Sequence, residues 1–215
     1  MVDLAIVLNA GSSSLKFSLY KADTGTWGLE ARGQIDGIGT SPRFTASDGT
    51  GKRFAGDRLD SHVDGRRALD ALAVWLRSRY YGSTVVGVGH RVVHGGARYA
   101  RPTIVTPGVL EDLRELVPLA PLHQPYNLAA IDAAIERLPG VPQVACFDTS
   151  FHRGQPGVAE VVRLPRELCR GGVQRYGFHG LSYEYIASVL PAAAPEIAHG
   201  RVILRTLAAE PASAR

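Results

Sequence analysis

The apolar residues of this chain change their spacing near residue 64, and that change constrains the fold more than any other feature. Before it the pattern has a period of two. A continuous apolar run from Leu4 to Leu8 is followed by Leu15, Phe17 and Leu19 alternating with Lys16, Ser18 and Tyr20, which is the signature of strands. The intervening "NAGSSS" is a tight polar turn, so the chain opens on a β-hairpin. The turns "ADTG" and "SDGTG" then separate short strands expected at Leu29 to Ile35, Arg43 to Ser47 and Arg53 to Ala55. From Asp64 to Arg79 the period becomes helical, with Ala68, Leu69, Leu72, Trp75 and Leu76 on one side, and the strand "TVVGV" follows. Thr106 caps and Pro107 opens a helix through "GVLEDLREL". A second helix is expected from Asn127 to Leu138, with Leu128, Ile131, Ile135 and Leu138 on one face, before the buried strand "VACF" that ends on Asp148. A strand meander followed by helix–strand alternation predicts an α/β fold, a mixed sheet with flanking helices.

At 215 residues, 45% hydrophobic and 20% charged, the chain can bury a substantial core. The net charge of +4 comes from arginines scattered along the chain, so no nucleic-acid or membrane partner is expected. The opening "MVDLAIVLNAGSSS" carries an acid and no Lys or Arg ahead of its short apolar run, and no later stretch reaches membrane length; a cytoplasmic protein is the expectation. Cys146 and Cys169 lie far apart, outside any Cys-x-x-Cys pattern, and read as reduced thiols.

Five short motifs carry candidate chemistry. The first, "NAGSSSLKF", is not a nucleotide P-loop, because its lysine lies on a strand and not at the start of a helix. At such a hairpin tip, backbone N–H groups and the hydroxyls of Ser12 and Ser14 can converge on a phosphate, with Lys16 adding charge, or the segment is simply a turn. In "GHRVVHGG", His90 and His94 have a spacing that suits zinc only on a helix, which the glycines and valines oppose. Arg91, at a buried strand end, suits bidentate grip of a carboxylate or phosphate, and equally a structural pair with an acid. His123 lies between prolines in "PLAPLHQP". Asp148 in "CFDTSFH" ends a core strand, where α/β folds place their ligands and where a carboxylate also caps turns. Phe178 and His179 stand between glycines in "RYGFHG", an aromatic loop or a packed corner.

Taken in order, "NAGSSSLKF", "GHRVVHGG", "PLAPLHQP", "FDTSFH" and "RYGFHG" closely resemble the acetate kinase family, which includes propionate and butyrate kinases, within the actin, sugar-kinase and Hsp70 superfamily. The resemblance runs from residue 4 to about residue 203. It implies an actin-like domain over residues 1–150 and the beginning of an incomplete second domain over 151–204. It further implies that Asn9 positions Mg²⁺ as cofactor, that Ser12, Ser14 and Lys16 contact ATP phosphate, and that Arg91 holds acetate or acetyl phosphate. Val93 and Leu122 would line the methyl pocket, with Phe178 beside the substrate. Asp148 would be the catalytic carboxylate, and His179 and His123 would donate to the phosphoryl group in transit. The implied reaction is ATP + acetate ⇌ ADP + acetyl phosphate, carried out by a homodimer when the protein is intact. The family usually has Asn at Gln124, Ala at Tyr126, and Thr and His at Leu181 and Tyr183, which leaves the acyl-chain preference open. A non-catalytic fragment that binds phosphate or acyl phosphate is the alternative.

The end of the chain departs from the family. After a strand expected over "GRVIL" the resemblance predicts a glycine-rich phosphate loop, whereas residues 205–215 read as an aberrant tail, "RTLAAEPASAR". One permitted coding of this stretch, with a single base inserted after the codon for Leu204, translates as LAHLGSGASLCA. A frameshift that removes the second half, with its adenosine site, and leaves the chain inactive by itself is therefore expected.

Overall fold

The computed structural model describes residues 2–60, 63–160, 164–171 and 173–205. The chain divides into two compact units, Met1–Phe147 and Asp148–Arg215.

The first unit is built on one mixed sheet. Its strands are β1 (Asp3–Ala10), β2 (Ser14–Asp23), β3 (Thr26–Asp36), β4 (Arg43–Asp48), β5 (Arg53–Arg58), β6 (Thr84–Val92), β7 (Thr103–Ile104) and β8 (Gln143–Phe147). They lie in the order β5-β4-β3-β2-β1-β6-β8-β7. The meander β1 to β5 is antiparallel, and β1, β6 and β8 run parallel to one another. The expected α/β class and mixed sheet are thus what the chain forms.

Three helices connect the strands: α1 (Gly65–Arg79), α2 (Pro107–Glu115) and α3 (Gln124–Arg137). The Asp64 carboxylate accepts from the Arg67 N–H at 2.8 Å and Thr106 Oγ1 from the Val109 N–H at 3.3 Å, so each of the first two helices starts on a side-chain cap. All three cover the same sheet face. Leu4, Ile6, Leu8, Leu15, Phe17, Leu19, Ile35 and Phe44 pack there against Leu69 and Leu72 of α1 and Ala130 and Ala133 of α3. A second cluster joins Leu110 and Leu113 of α2 to Leu128 and Ile131 of α3, Val92 and Phe147. Phe17, Phe44 and Trp75 have ring centroids 5.4–5.8 Å apart, a spacing that adds to the simple burial of area. Gly33 makes room for that aromatic cluster, since a Cβ there would lie 2.5 Å from the Phe17 ring and 2.4 Å from the Thr45 carbonyl oxygen.

Strands β3 and β5 run longer than the sequence reading has them, and three further differences have a clear physical cause. Helix α3 starts at Gln124 rather than Asn127, because Pro125 sits in the first turn, where its missing N–H is no loss. Strand β6 continues through "GHRV" to Val92, held on both sides by β1 and β8. Residues 201–205 form no strand; every described strand belongs to the first unit, and an extended segment without a ladder partner gains no inter-strand hydrogen bonds. Beyond Arg205 the tail lies outside the described residues.

The second unit contains α4 (Gly157–Glu160), α5 (Arg166–Arg170), α6 (Gly180–Ala193) and α7 (Pro195–Ala198). Cys146 and Cys169 are free thiols, each half-buried. Among the described residues no helix is long and apolar enough to cross a membrane.

Candidate active site

In the first unit the C-terminal ends of β1 and β6 lie side by side, with Leu8 paired to His90, and open α/β sheets hold their ligands at such ends. Arg91, half-buried, donates from Nη1 to Asn9 Oδ1 at 3.2 Å. Two residues of opposite role in the sequence reading are therefore joined here. The register carries the row outward: Asn9 is paired to Lys16, so the two side chains share the sheet face opposite the helices. Ser14, two residues before Lys16 on β2, shares that face.

The hairpin tip is less available than the sequence suggests. The Gly11 N–H donates to the Ser14 carbonyl at 2.8 Å, closing the turn, and the Ser13 carbonyl accepts from the Ile38 N–H at 3.0 Å. Gly11 therefore presents no donor to a phosphate, whereas Ser12, Ser13 and Lys16 are exposed and Ser14 is half-buried.

Two buried amides on α3 hold the strand ends in place. Asn127 Oδ1 accepts from the Val93 N–H at 2.9 Å while its Nδ2 donates to the Ala10 carbonyl at 2.7 Å. It thereby ties the segment after β6 to the end of β1. Gln124, fully buried, accepts from the His94 N–H at 3.3 Å and donates to the carbonyls of His94 at 3.1 Å and Leu113 at 3.2 Å. Its amide is engaged by backbone on both sides, so this departure from the family pattern serves the scaffold. Sequence reasoning missed both as supports. The available signal was positional: Gln124, Asn127, Leu128 and Ile131 recur at i, i+3, i+4 and i+7, so two amides sit on the apolar stripe.

The two histidines of "GHRVVHGG" are structural in this geometry. His90 Nε2 and Gln143 Oε1 are 2.8 Å apart, and the Gly96 N–H donates to His94 Nδ1 at 2.8 Å. Burial pushes both imidazoles below their ordinary pKa, opposed at His90 by the Gln143 hydrogen bond, so both are neutral in the fold. Val93 is buried, whereas Leu122 is 75% exposed on the turn before α3; the structure does not bring Leu122 into the core beside Val93. His123 occupies the N-cap of α3, exposed, with no capping bond from its side chain.

In the second unit Asp148 is buried at the unit's first position, and its carbonyl accepts from the Gly180 N–H at 2.8 Å. His179 precedes that glycine in the left-handed region, φ 59°, as the N-cap of α6. A Cβ on Gly180 would lie 2.3 Å from the Asp148 carbonyl oxygen and 2.8 Å from Phe151 Cβ. The Phe178 carbonyl lies 3.0 Å from His152 Nε2. Asp148, Phe178 and His179 thus belong to one local loop-and-helix junction, with the Phe178 and His179 side chains exposed.

These residues do not by themselves fit a Mg²⁺ site. Among the described residues no group of three or more His, Cys, Asp or Glu could hold a metal ion. Asn9 Oδ1, the ligand implied by the resemblance, is already engaged by a guanidinium, and Mg²⁺ binds through carboxylates and substrate phosphates.

The fold of this chain is that of solved acyl kinases over most of its length. The propionate kinase of Francisella tularensis superposes with a TM-score of 0.79 at 28% identity, over 91% of this chain and 50% of that one. The acetate kinase of Porphyromonas gingivalis does so at 0.75 and 32%, over 88% and 48%. The chain belongs to the Acetokinase family, whose sequence pattern matches residues 4–195. It is 47% identical over 210 residues to the acetate kinase of Nitrobacter hamburgensis, covering 96% of this chain and 52% of the relative. The chain therefore spans about half the length of the curated relatives it matches.

Proposed function

We propose that this chain carries the carboxylate-binding part of an acetate kinase, which transfers a phosphoryl group reversibly between ATP and acetate. The observation that carries the reading is Arg91, held against Asn9 at the parallel strand ends in a chain of the Acetokinase family. A guanidinium is planar and forked, a geometry that matches a carboxylate. In the reaction an acetate oxygen attacks the γ-phosphorus and the bond to the ADP oxygen breaks. Orientation and charge neutralisation supply most of the rate in such transfers. Arg91 would orient the attacking carboxylate and offset its charge, while Lys16, Ser12 and Ser14 would meet nucleotide phosphate. Val93, Leu122 and Phe178 would contact the acyl group, and His123, His179 and Asp148 would act on the group in transit. These roles rest on the resemblance residue by residue. The intact protein is proposed to be a cytoplasmic homodimer, and the 215 residues alone to turn over no substrate.

A hydroxamate assay for acetyl phosphate tests this. The chain alone is expected to give no product, and activity within about tenfold of a full-length relative would overturn that part. Joined to the C-terminal half of the N. hamburgensis relative, it is expected to be active. In that protein Arg91→Lys should lose on the order of a hundredfold in kcat/KM for acetate with the ATP constant little changed, since a point charge cannot reproduce a bidentate grip. An unchanged acetate constant removes Arg91 from the site.

A further inference from the structure

The sheet face opposite the helices carries cations across four consecutive strands. The register places Ser18 beside Arg32, Arg32 beside Ser47 and Ser47 beside Arg53, so one row alternates hydroxyl and guanidinium from β2 to β5. Lys16 stands in the next row, paired to Gln34. One row further, Asp36 lies between Ser14 and Arg43, and Arg43 is paired to Arg58. Asp36 is the carboxylate among these positions, and its Oδ2 accepts from Gln34 Nε2 at 2.6 Å. Lys16, Arg32 and Arg53 are exposed, and among the described residues no ion pair joins any of them to an acid. They line an open groove of about 410 Å³ together with Ser18, Thr45 and Ser47. Unpaired like charges gathered on one sheet face oppose folding, and an anion seated between them would reverse the sign of that contribution.

We propose that this groove binds a linear chain of phosphates. Strands lie about 4.8 Å apart, so residues of the row recur at that interval and Arg32 and Arg53 spring from backbone positions about 10 Å apart with Ser47 between. A ligand that meets them all must carry anionic oxygens at short, regular steps along its length, as linked phosphates do, and guanidiniums and hydroxyls both donate to phosphate oxygens. The one aromatic side chain lining the groove, Phe17, is buried in the core and offers no surface for a base to stack on. The inference shares Lys16 with the acetate kinase reading and goes beyond it through Arg32 and Arg53, which have no part in that reading.

Titration calorimetry of the 215-residue chain with sodium tripolyphosphate, in low-salt buffer without divalent ions, tests the proposal. Saturable binding that weakens as salt is raised is expected, with orthophosphate much weaker. Arg32→Gln with Arg53→Gln should weaken it by about tenfold or more. The charge-matched pair Arg77→Gln with Arg101→Gln, both exposed and off this face, should change it by less than about twofold. Arg32→Lys with Arg53→Lys should fall between, which guards against a folding defect in the glutamine pair. No binding by the unaltered chain, equal losses in the two glutamine pairs, or equally tight binding of orthophosphate or an oligoglutamate peptide would each overturn it.

Discussion

Replacing Asn127 by leucine probes the tie between β1 and the end of β6, and the loss can be worked from its two bonds. Leucine has nearly the same volume, so no large cavity forms, but the Val93 N–H and the Ala10 carbonyl lose their partners at 2.9 and 2.7 Å. Val93 is buried, so its N–H bears the full penalty of an unsatisfied donor, about 2–3 kcal/mol. Ala10 is half-exposed and can regain water, so its loss is about 1 kcal/mol. Leucine recovers about 1 kcal/mol through apolar burial, which leaves a net destabilisation of about 2–3 kcal/mol, a large share of a typical domain's stability. Both tryptophans, Trp27 and Trp75, lie in this unit, and Trp75 packs on Phe17 and Phe44, so urea unfolding followed by tryptophan fluorescence reads the effect directly. Asn127→Asp sharpens the test. A carboxylate still accepts from Val93 but faces the Ala10 oxygen without a proton, so the variant should be less stable than Asn127→Leu at neutral pH. It should regain stability on acidification as the protonated acid donates again. A leucine variant within about 1 kcal/mol of the parent, or an aspartate variant whose pH dependence matches the parent's, would refute the bridge.

Two further outcomes follow from the geometry. His90 and His94 are held neutral by burial, below their ordinary pKa, so below about pH 6.5 the unfolded chain binds protons that the folded chain does not. Stability should therefore be complete above that pH and fall as pH drops below it; melting curves between pH 7.5 and about 5 should show a shallower slope in His90→Gln, and an identical slope would exclude His90 as a source. Gly180→Ala places a methyl against the Asp148 carbonyl and should cost about 1–3 kcal/mol, seen as faster exchange of the N–H at position 180 and of those along α6; exchange unchanged from the parent would show that the junction yields freely.

Most of the fold was legible because period and caps act locally. Asp64 and Thr106 announced the starts of α1 and α2, and the alternation around Phe17 announced the meander. The misplaced boundaries depend on partners distant in sequence. β6 reaches Val92 only because β1 and β8 flank it, and "GRVIL" reads as a strand locally but pairs with no strand among the described residues. Arg91 drew attention in the sequence because charge and glycine marked it. The supporting roles of Gln124 and Asn127 were not legible, because an amide in a helix reads as surface until the backbone groups it satisfies are known. The contribution of Asn127 depends on Ala10, which is 117 positions away in the chain, and no local pattern encodes that.

The pairing of β2 through β5 also bears on how the meander avoids wrong alignments. Side chains in a strand alternate between faces, so a slip by one residue exchanges the faces wholesale. In this meander such a slip would drive Lys16 and Arg32 toward Phe44 and Trp75 and turn Phe17 out to water. Each misplaced cation would have to shed its hydration in an aromatic interior with no acid to receive it. The exposed charges of the open face therefore act as a proofreading device during folding, penalising the misaligned hairpins that a chain of hydroxyls and small apolar residues would tolerate. The kinked pairings at Leu19/Tyr20 and Ala46/Ser47 lock the alignment at two points, since a strand that carries one extra residue cannot slide past its neighbour without losing that fit.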